Sequence, residues 1–218
     1  PQPEISLQMG MQGAAWMHSD LGGFAGNTLD DELYTRWLQY GVFQPVFRPH
    51  AQEEVASEPV YRSPAALALA REAIRLRYRM LPYNYTAAFD NNQTGMPLMR
   101  PLMYEEPGNR KLRDMASSYL WGADLLVSPV VKAGLKTQEV YFPAMAAWFD
   151  FHSGRRYEGG TTASIALEPG HIPVFVRAGA FIPMAPLVQS TRDYSTRHLE
   201  LHYYHDRSVS HGSGKVYD

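Results

Sequence analysis

The hydrophobic pattern of this sequence changes near residue 95, and this change constrains the fold more than any other feature. Up to about residue 93, short apolar runs alternate with segments of helical periodicity, as they do in β/α units. From Gly95 onwards the period is two, and turn signals such as Pro107-Gly108 and Pro169-Gly170 separate the runs. The pattern predicts an α/β part followed by an all-β part, which we expect to be a β-sandwich.

The α/β part carries clear signals for helix starts. Residues 5–12 read as the end of one helix, and Asp30 and Asp31 offer an N-cap for a helix over residues 32–40. Ser63 followed by a proline begins a longer helix. The predicted apolar stripes are Leu33, Trp37 and Tyr40 on the first capped helix, and Leu67, Ala70, Ile74, Tyr78 and Leu81 on the second.

Short apolar runs predict the strands of both parts. In the α/β part, residues 14–17 read as a buried strand and residues 43–47 as the next one. In the all-β part, the predicted strands are residues 98–104, 125–131, 139–142, 148–151, 161–167, 174–177 and 198–204. The polar stretch 188–196 is expected to lead into a further β unit.

Composition excludes several classes of protein. Lys and Arg total 20 against 22 Asp and Glu, so the chain lacks the basic field that nucleic-acid binding requires. Its apolar runs fall short of the roughly 20 residues that a membrane-spanning helix needs. The absence of cysteine excludes disulfides, cysteine-ligated zinc and a cysteine nucleophile. We expect the 218 residues to be a piece of a longer polypeptide, because neither end carries a terminal signature.

Two candidate functional residues follow the two predicted strands of the α/β part. Asp20 precedes Gly22-Gly23, and His50 lies at the end of the next strand. Functional groups of β/α barrels sit beyond the carboxyl ends of the strands, so these side chains are expected to converge. A carboxylate and an imidazole there can bind sugar hydroxyls. Alternatively, Asp20 caps a turn, His50 is structural, or both join His18 in a weakly supported metal site.

Aromatic and acidic residues near these positions leave further alternatives open. Phe24 and Trp16 are candidates for an apolar wall against a pyranose face, although aromatics beside a buried strand are more often core. Adjacent acids invite a glycosidase interpretation, but on strands or loops they usually point apart or into solvent. The adjacent acids are Asp30 and Asp31, Glu53 and Glu54, and Glu105 and Glu106.

Taken together, the motifs of this sequence resemble glycoside hydrolase family 31, which includes α-glucosidases and α-xylosidases. The resemblance covers nearly the whole chain in the family's order. Its motifs are Trp16–Phe24, Glu32–Gly41, Phe47–His50, Arg75–Tyr83, Met99–Leu102, Tyr119–Val130 and His171–Gly179.

The resemblance implies the C-terminal portion of a (β/α)8 barrel followed by a β-sandwich. The implied domains are residues 1–93 for the barrel part, 94–187 for the proximal sandwich, and 188–218 for a linker and the start of a distal β domain. It also implies that Asp20 and His50 bind hydroxyls of the sugar in the −1 subsite, that Phe24 lines this subsite and that Arg48 supports it. The family's Arg-x-His motif has Pro49 in the middle here, where Ser or Asn is more usual.

The resemblance further implies a retaining exo-acting α-glycosidase whose nucleophile and acid/base aspartates lie upstream of Asp20. Only Glu4 is acidic before Asp20, so no catalytic residue is expected within this segment and it should be inactive alone. The expected partners are an oligosaccharide or α-glycoside substrate and the remainder of the same polypeptide, outside the cytoplasm, with no cofactor. The alternative is a non-catalytic carbohydrate-binding or scaffold fragment of a degenerate relative.

Overall fold

A computed structural model describes residues 1–26 and 30–218. Within these residues, four α-helices precede ten β-strands. The helices are α1 (Gln2–Met11), α2 (Asp31–Gly41), α3 (Pro64–Arg79) and α4 (Leu81–Thr94). The strands are β1 (Met99–Pro101), β2 (Tyr119–Trp121), β3 (Leu125–Val127), β4 (Thr137–Tyr141), β5 (Trp148–Asp150), β6 (Arg156–Tyr157), β7 (Thr162–Ala166), β8 (Val174–Arg177), β9 (Phe181–Met184) and β10 (Glu200–Tyr203).

The strands form one large six-stranded sheet and two separate two-stranded sheets, and all of the pairings are antiparallel. The large sheet has the order β1-β2-β3-β8-β5-β6. Strands β4 and β7 pair with each other, as do β9 and β10. At the centre of the large sheet, Leu126 lies opposite Phe175 and Leu125 opposite Val176. This register sets which side chains share a face.

The central strands of the large sheet are buried on both faces. On one face, Tyr119, Leu125 and Val174 pack into a core shared with the four helices. On the other, Leu120, Leu126 and Phe175 pack against the pair β4–β7 through Val140 and Ile165. The pair β4–β7 is a second sheet packed over this face, which is the arrangement of a β-sandwich. The predicted fold class, an α/β part followed by a sandwich, is confirmed.

The two strands predicted in the α/β part are wrong as strands. Residues 14–17 and 43–47 are irregular, and a single parallel bridge between Leu21 and Pro49 joins the two segments among the described residues. A parallel strand requires neighbours that continue its ladder, and one bridge does not extend a ladder along either run. Val42 and Phe43 are nonetheless buried against the helices. Burial was therefore predicted correctly for residues 43–45 and wrongly for residues 14–17, where Trp16 is 53% exposed, and extended structure was predicted wrongly for both runs.

The start of α2 follows the capping signal, and its buried face matches the predicted stripe in part: Tyr40 is buried and Trp37 packs against the core, but Leu33 is not buried. The carboxylate of Asp30 accepts a hydrogen bond of 2.9 Å from the backbone N–H of Leu33. Tyr34 and Leu38 are fully buried, whereas Leu33 is 49% exposed. The neighbours of α2 lie on the side of Tyr34, so tertiary packing rather than apolar spacing sets the orientation of this helix.

Helix α3 also begins at its predicted cap and ends earlier than expected. Ser63 Oγ accepts from the N–H of Ala66, and small residues form the buried face against α2. Three members of the predicted stripe, Leu67, Ile74 and Tyr78, are only half-buried. Leu81 belongs to a separate helix, α4, which ends at Gly95 in the left-handed conformation with φ of 75°.

All seven predicted strands of the all-β part contain a strand, although the first is shorter than expected. Residues Leu102–Tyr104 form a 3-10 turn instead of continuing β1. Strands β2, β6 and β9 were not predicted. Strand β2 is buried on both faces and therefore lacks alternation, and β9 contains Pro183, which argues against a strand when read from sequence.

Side chains of α2 clamp a loop of the sandwich. Arg36 Nη1 donates to the carbonyl oxygens of Glu168 at 2.7 Å and His171 at 2.9 Å. Gln39 Nε2 donates to the carbonyl oxygen of Pro169 at 2.7 Å. Because all three acceptors are backbone carbonyls of one loop, α2 and the sandwich are fixed to each other by hydrogen bonds as well as by the shared core. None of the described helices is long and apolar enough to cross a bilayer.

We expect Arg36→Met to destabilise the protein by about 1–2 kcal/mol, because the change leaves two carbonyls of the clamped loop without their donor. In a unit of this size such a loss lowers the thermal midpoint by roughly 2–8 °C. The measurement is thermal unfolding of the complete protein. Arg71→Met, at an exposed position on α3, is the matched control and should leave the midpoint unchanged. Equal midpoints for the two variants would show that the clamp contributes nothing.

Candidate functional site

Asp20, Arg48 and His50 lie on two neighbouring parallel segments that follow the predicted strand positions. Leu21 and Pro49 form the parallel bridge, and the N–H of Leu21 donates to the carbonyl oxygen of Arg48 at 3.1 Å. Side chains alternate along extended backbone, so residues on either side of a bridge point to the opposite face from the bridged pair. The geometry therefore places Asp20, Arg48 and His50 on one face, with Leu21 turned to the other.

An ion pair joins the two segments on this face. Arg48 Nη2 lies 2.9 Å from Asp20 Oδ1, with the Asp20 side chain 30% exposed and that of Arg48 52% exposed. Ion pairs this open contribute little to stability. The bond instead orients the carboxylate, and the other oxygen, Oδ2, remains available to accept a hydrogen bond from a ligand.

An aromatic side chain stands beside the histidine. The rings of Phe24 and His50 have centroids 5.8 Å apart and planes tilted by 49°. The N–H of Gln52 donates to the carbonyl oxygen of Phe24 at 2.9 Å, which fixes the two loops to each other. Phe24 is 47% exposed, so its ring borders the open face and is not part of the core.

Helix α2 supports the Asp20 segment from below through two close contacts at glycines. A Cβ atom on Gly22 would lie 2.5 Å from the ring of Tyr34, and Gly22 has a φ of 96°. A Cβ on Gly41 would lie 2.5 Å from Leu21 Cδ1. Tyr34 is held by a 2.9 Å hydrogen bond from its hydroxyl to the carbonyl of Ser57, and burial raises its pKa to about 12. The glycine after Leu21 is thus required for the loop to rest on the tyrosine ring.

A buried polar network that was not predicted lies next to the bridge. Trp37 Nε1 donates to Ser19 Oγ at 2.8 Å, and Gln44 is fully buried with its Nε2 bonded to the carbonyl of Val46. Ser19 Oγ also reaches Gln44 Oε1 at 3.5 Å. The available signal was the polar Gln44 inside the apolar run 43–47, because a buried amide requires partners.

Two of the candidate residues lie apart from this arrangement in their hydrogen bonding. Trp16 is 53% exposed, and its Nε1 donates to Asn91 Oδ1 on α4 at 3.2 Å. His18 Nδ1 lies 3.1 Å from the carbonyl oxygen of Ser19, to which the ring donates. Within residues 1–26 and 30–218, no three His, Asp or Glu side chains are grouped closely enough to hold a metal ion. The structure therefore brings together Asp20, Arg48, Phe24 and His50.

Three of the six adjacent acids have structural partners among the described residues. Asp30 caps α2 by accepting from the N–H of Leu33, and Glu105 pairs with Arg177 at 2.8 Å. Glu106 accepts from the Tyr141 hydroxyl and other donors; its burial is slight, and these hydrogen bonds lower its pKa. These three carboxylates stabilise a helix start, loops and strand ends, whereas the sequence predicted that they point apart or into solvent.

The open face combines a carboxylate acceptor, cationic and imidazole donors, and an apolar ring. A ligand with vicinal hydroxyls on one edge and C–H groups on a flat face satisfies all of them, because each hydroxyl both donates and accepts. Pyranose sugars have this character. The chemistry of the site therefore favours binding of a sugar ring.

Two family models match this chain consecutively. The model of the glycosyl hydrolases family 31 TIM-barrel domain matches residues 2–87, and that of the glycosyl hydrolase family 31 C-terminal domain matches residues 95–182. A probable glucan 1,3-alpha-glucosidase of Oryza sativa is 37% identical over 178 residues, covering 81% of this chain and 19% of the relative.

Solved structures of the same family superpose on this chain. A family 31 dextranase of Flavobacterium johnsoniae complexed with isomaltotriose has a TM-score of 0.88 and 33% identity, covering 93% of this chain and 26% of the dextranase. A family 31 alpha-xylosidase from a soil metagenome complexed with xylose has a TM-score of 0.74 and 31% identity, covering 79% of this chain and 29% of the xylosidase.

This chain spans about a fifth to a quarter of the length of the curated relatives it matches, such as 19% of the rice protein and 25% of Alpha-glucosidase 2 from Bacillus thermoamyloliquefaciens. The resemblance read from the motifs is confirmed by both domain models and by the superposed structures. The chain belongs to glycoside hydrolase family 31, with part of the family's TIM-barrel domain followed by its C-terminal domain.

Proposed function

We propose that the complete protein is a retaining, exo-acting α-glycosidase that hydrolyses terminal α-linked sugars, as an α-glucosidase does. The observation that supports this proposal is the grouping of Asp20, Arg48, His50 and Phe24 on one open face. The α-glucosidase named among the relatives favours the same substrate class. In this proposal the present segment supplies part of the −1 subsite.

Each side chain of the site has a distinct role in this proposal. Asp20 accepts a hydrogen bond from one sugar hydroxyl through the oxygen that Arg48 leaves available. His50 donates to a second hydroxyl, and the Phe24 ring packs against the C–H face of the pyranose. Arg48 is a positioning residue, because it acts by orienting the Asp20 carboxylate. Trp16 has no role in this proposal, because its Nε1 bonds to Asn91 on α4.

The nucleophile and the acid/base are proposed to come from elsewhere in the complete protein. Retaining glycosidases require two carboxyl groups about 5–5.5 Å apart across the scissile bond. Among the described residues Asp20 is engaged by Arg48, and Asp30, Glu105 and Glu106 bond to structural partners. Asp20 and His50 contribute to rate by holding hydroxyls in the distorted ring geometry of the oxocarbenium-like transition state.

We expect Asp20→Ala in the complete protein to lower kcat/KM for an aryl α-glucoside by at least tenfold, because loss of a preorganised hydroxyl contact costs about 2–4 kcal/mol in the transition state. The matched control is Asp114→Ala, an exposed aspartate of the all-β part. Its kcat/KM should equal that of the unaltered protein. A near-normal value for Asp20→Ala would contradict the role given to this residue.

We also expect Gly22→Ala to reduce activity more strongly than Gly23→Ala. Both glycines have φ near 100°, so an alanine at either position carries similar backbone strain. Only at Gly22 would the added Cβ meet the Tyr34 ring at 2.5 Å, whereas nothing lies within 4 Å of a Cβ at Gly23. The measurement is kcat/KM at matched protein concentration, together with the thermal midpoint. Equal losses would show that backbone strain, rather than the tyrosine contact, sets the requirement for glycine.

Activity of the complete protein on a panel of aryl α-glycosides tests the proposed reaction directly. We expect hydrolysis of at least one member of the panel, with retention of the anomeric configuration, and no hydrolysis by residues 1–218 alone. Binding of α-linked oligosaccharides without hydrolysis of any panel member would instead identify a non-catalytic, carbohydrate-binding relative.

A further inference from the structure

A cavity separate from the candidate site lies where α4 meets the turn between β2 and β3 and the end of the described chain. Its volume is about 360 Å³, within the range typical of small-molecule sites. Its charged lining residues are Asp90, Arg100, Asp124 and Lys215. None of the residues that line it belongs to the group Asp20, Arg48, His50 and Phe24, so it is separate from the candidate −1 subsite.

Asp124 presents an uncommitted carboxylate to this cavity. It is half-buried, and its side chain makes no hydrogen bond within the described ranges. Burial raises its pKa, and the nearby cations Arg177 and Arg100 only partly oppose this effect. Arg177 is committed elsewhere, to Glu105 and to the carbonyl of Ala123. With no partner among the described residues, this half-buried carboxylate can accept hydrogen bonds from a ligand or from water.

Arg100 presents the complementary donors. Its Nε donates to the carbonyl of Pro97 at 3.2 Å, while its terminal nitrogens make no hydrogen bond to other described residues. It lies near Asp124 but forms no ion pair with it within 4.0 Å. Opposite charges that line one cavity without joining leave room between them for a molecule that contacts both.

The backbone of the turn that carries Asp124 is held rigidly. The Tyr83 hydroxyl donates to the carbonyl of Trp121 at 2.8 Å and accepts from the N–H of Asp124 at 3.1 Å. A Cβ on Gly122, which has φ of 64°, would lie 2.5 Å from that hydroxyl oxygen. The carboxylate is thus placed by a buried tyrosine rather than by a mobile loop, as a preorganised site requires.

The charge balance of the cavity selects the class of ligand. Asp90 and Lys215 form an ion pair, and Arg100 and Asp124 carry one charge of each sign, so the four charged residues sum to zero. A cation would be attracted by the two aspartates and repelled by Arg100 and Lys215, and an anion would meet the reverse. A neutral molecule whose groups both donate and accept can contact Asp124 and Arg100 together, and hydroxyl groups have this property.

We propose that this cavity is a second, non-catalytic binding site for a neutral mono- or disaccharide. Asp124 accepts hydrogen bonds from its hydroxyls, and Arg100 donates to their oxygens. The inference goes beyond the proposed hydrolysis and does not rest on it, because the residues and the readout are separate from those of the candidate −1 subsite.

The test is saturation-transfer NMR on the complete protein with thiomaltose, a sulfur-linked disaccharide that resists hydrolysis. We expect saturable binding that weakens about tenfold or more in Asp124→Asn, which removes a charged acceptor while keeping the shape of the side chain. Asp114→Asn, the same change at an exposed position, is the matched control and should leave this binding unchanged. All of these variants are compared in the Asp20→Ala background, which weakens binding of thiomaltose at the candidate −1 subsite and leaves binding at the cavity.

A second variant addresses folding and access. Ala123→Trp places a large ring at an exposed position that lines the cavity, so it should block binding without removing any partner of the buried tyrosine. Thermal midpoints close to that of the unaltered protein confirm that the variants fold. The proposal is overturned if no saturable binding of thiomaltose remains in Asp20→Ala. It is also overturned if the binding of thiomaltose is unaffected by both cavity variants.

Discussion

The burial of both faces of the central strands is the constraint on which the other contacts of this structure depend. The helices cover one face of β2, β3 and β8, and the pair β4–β7 covers the other. Removing the helices would expose Trp121, and removing the pair β4–β7 would expose Phe175. The α/β part and the sandwich therefore share one core, and α2 is held in place as a member of that core.

The candidate site is held in position by this core, although its own side chains are open to solvent. Tyr34 is fully buried and supports the turn at Gly22, while Leu21 packs against Gly41 of the same helix. The ion pair between Asp20 and Arg48 adds orientation, since its exposure leaves it little value for stability. A binding site for a polar ligand requires exposed polar groups that are held by rigid elements, and the candidate site has this arrangement.

The sequence allowed prediction of features that depend on local chemistry. The caps at Asp30 and Ser63 were predicted because a short polar side chain satisfies backbone N–H groups within three residues. The burial of Leu33 on α2 and the extended character of residues 14–17 were predicted wrongly, because both depend on distant neighbours. Strand β2 escaped prediction since burial on both faces removes alternation.

The candidate site was likewise predicted only in part from the sequence. Asp20 and His50 were identified from a glycine-rich turn, a thirty-residue separation and the family motifs, and the structure places both beside one bridge. The network of Ser19, Trp37 and Gln44 joins residues from three segments, so the polar Gln44 within an apolar run signalled it but its partners could not be identified from the sequence.

The main-chain acceptors of the α2 clamp have a consequence for sequence divergence: because Arg36 and Gln39 bind carbonyl oxygens, these hydrogen bonds place no requirement on the side chains of residues 168–171, while they do require the two donors.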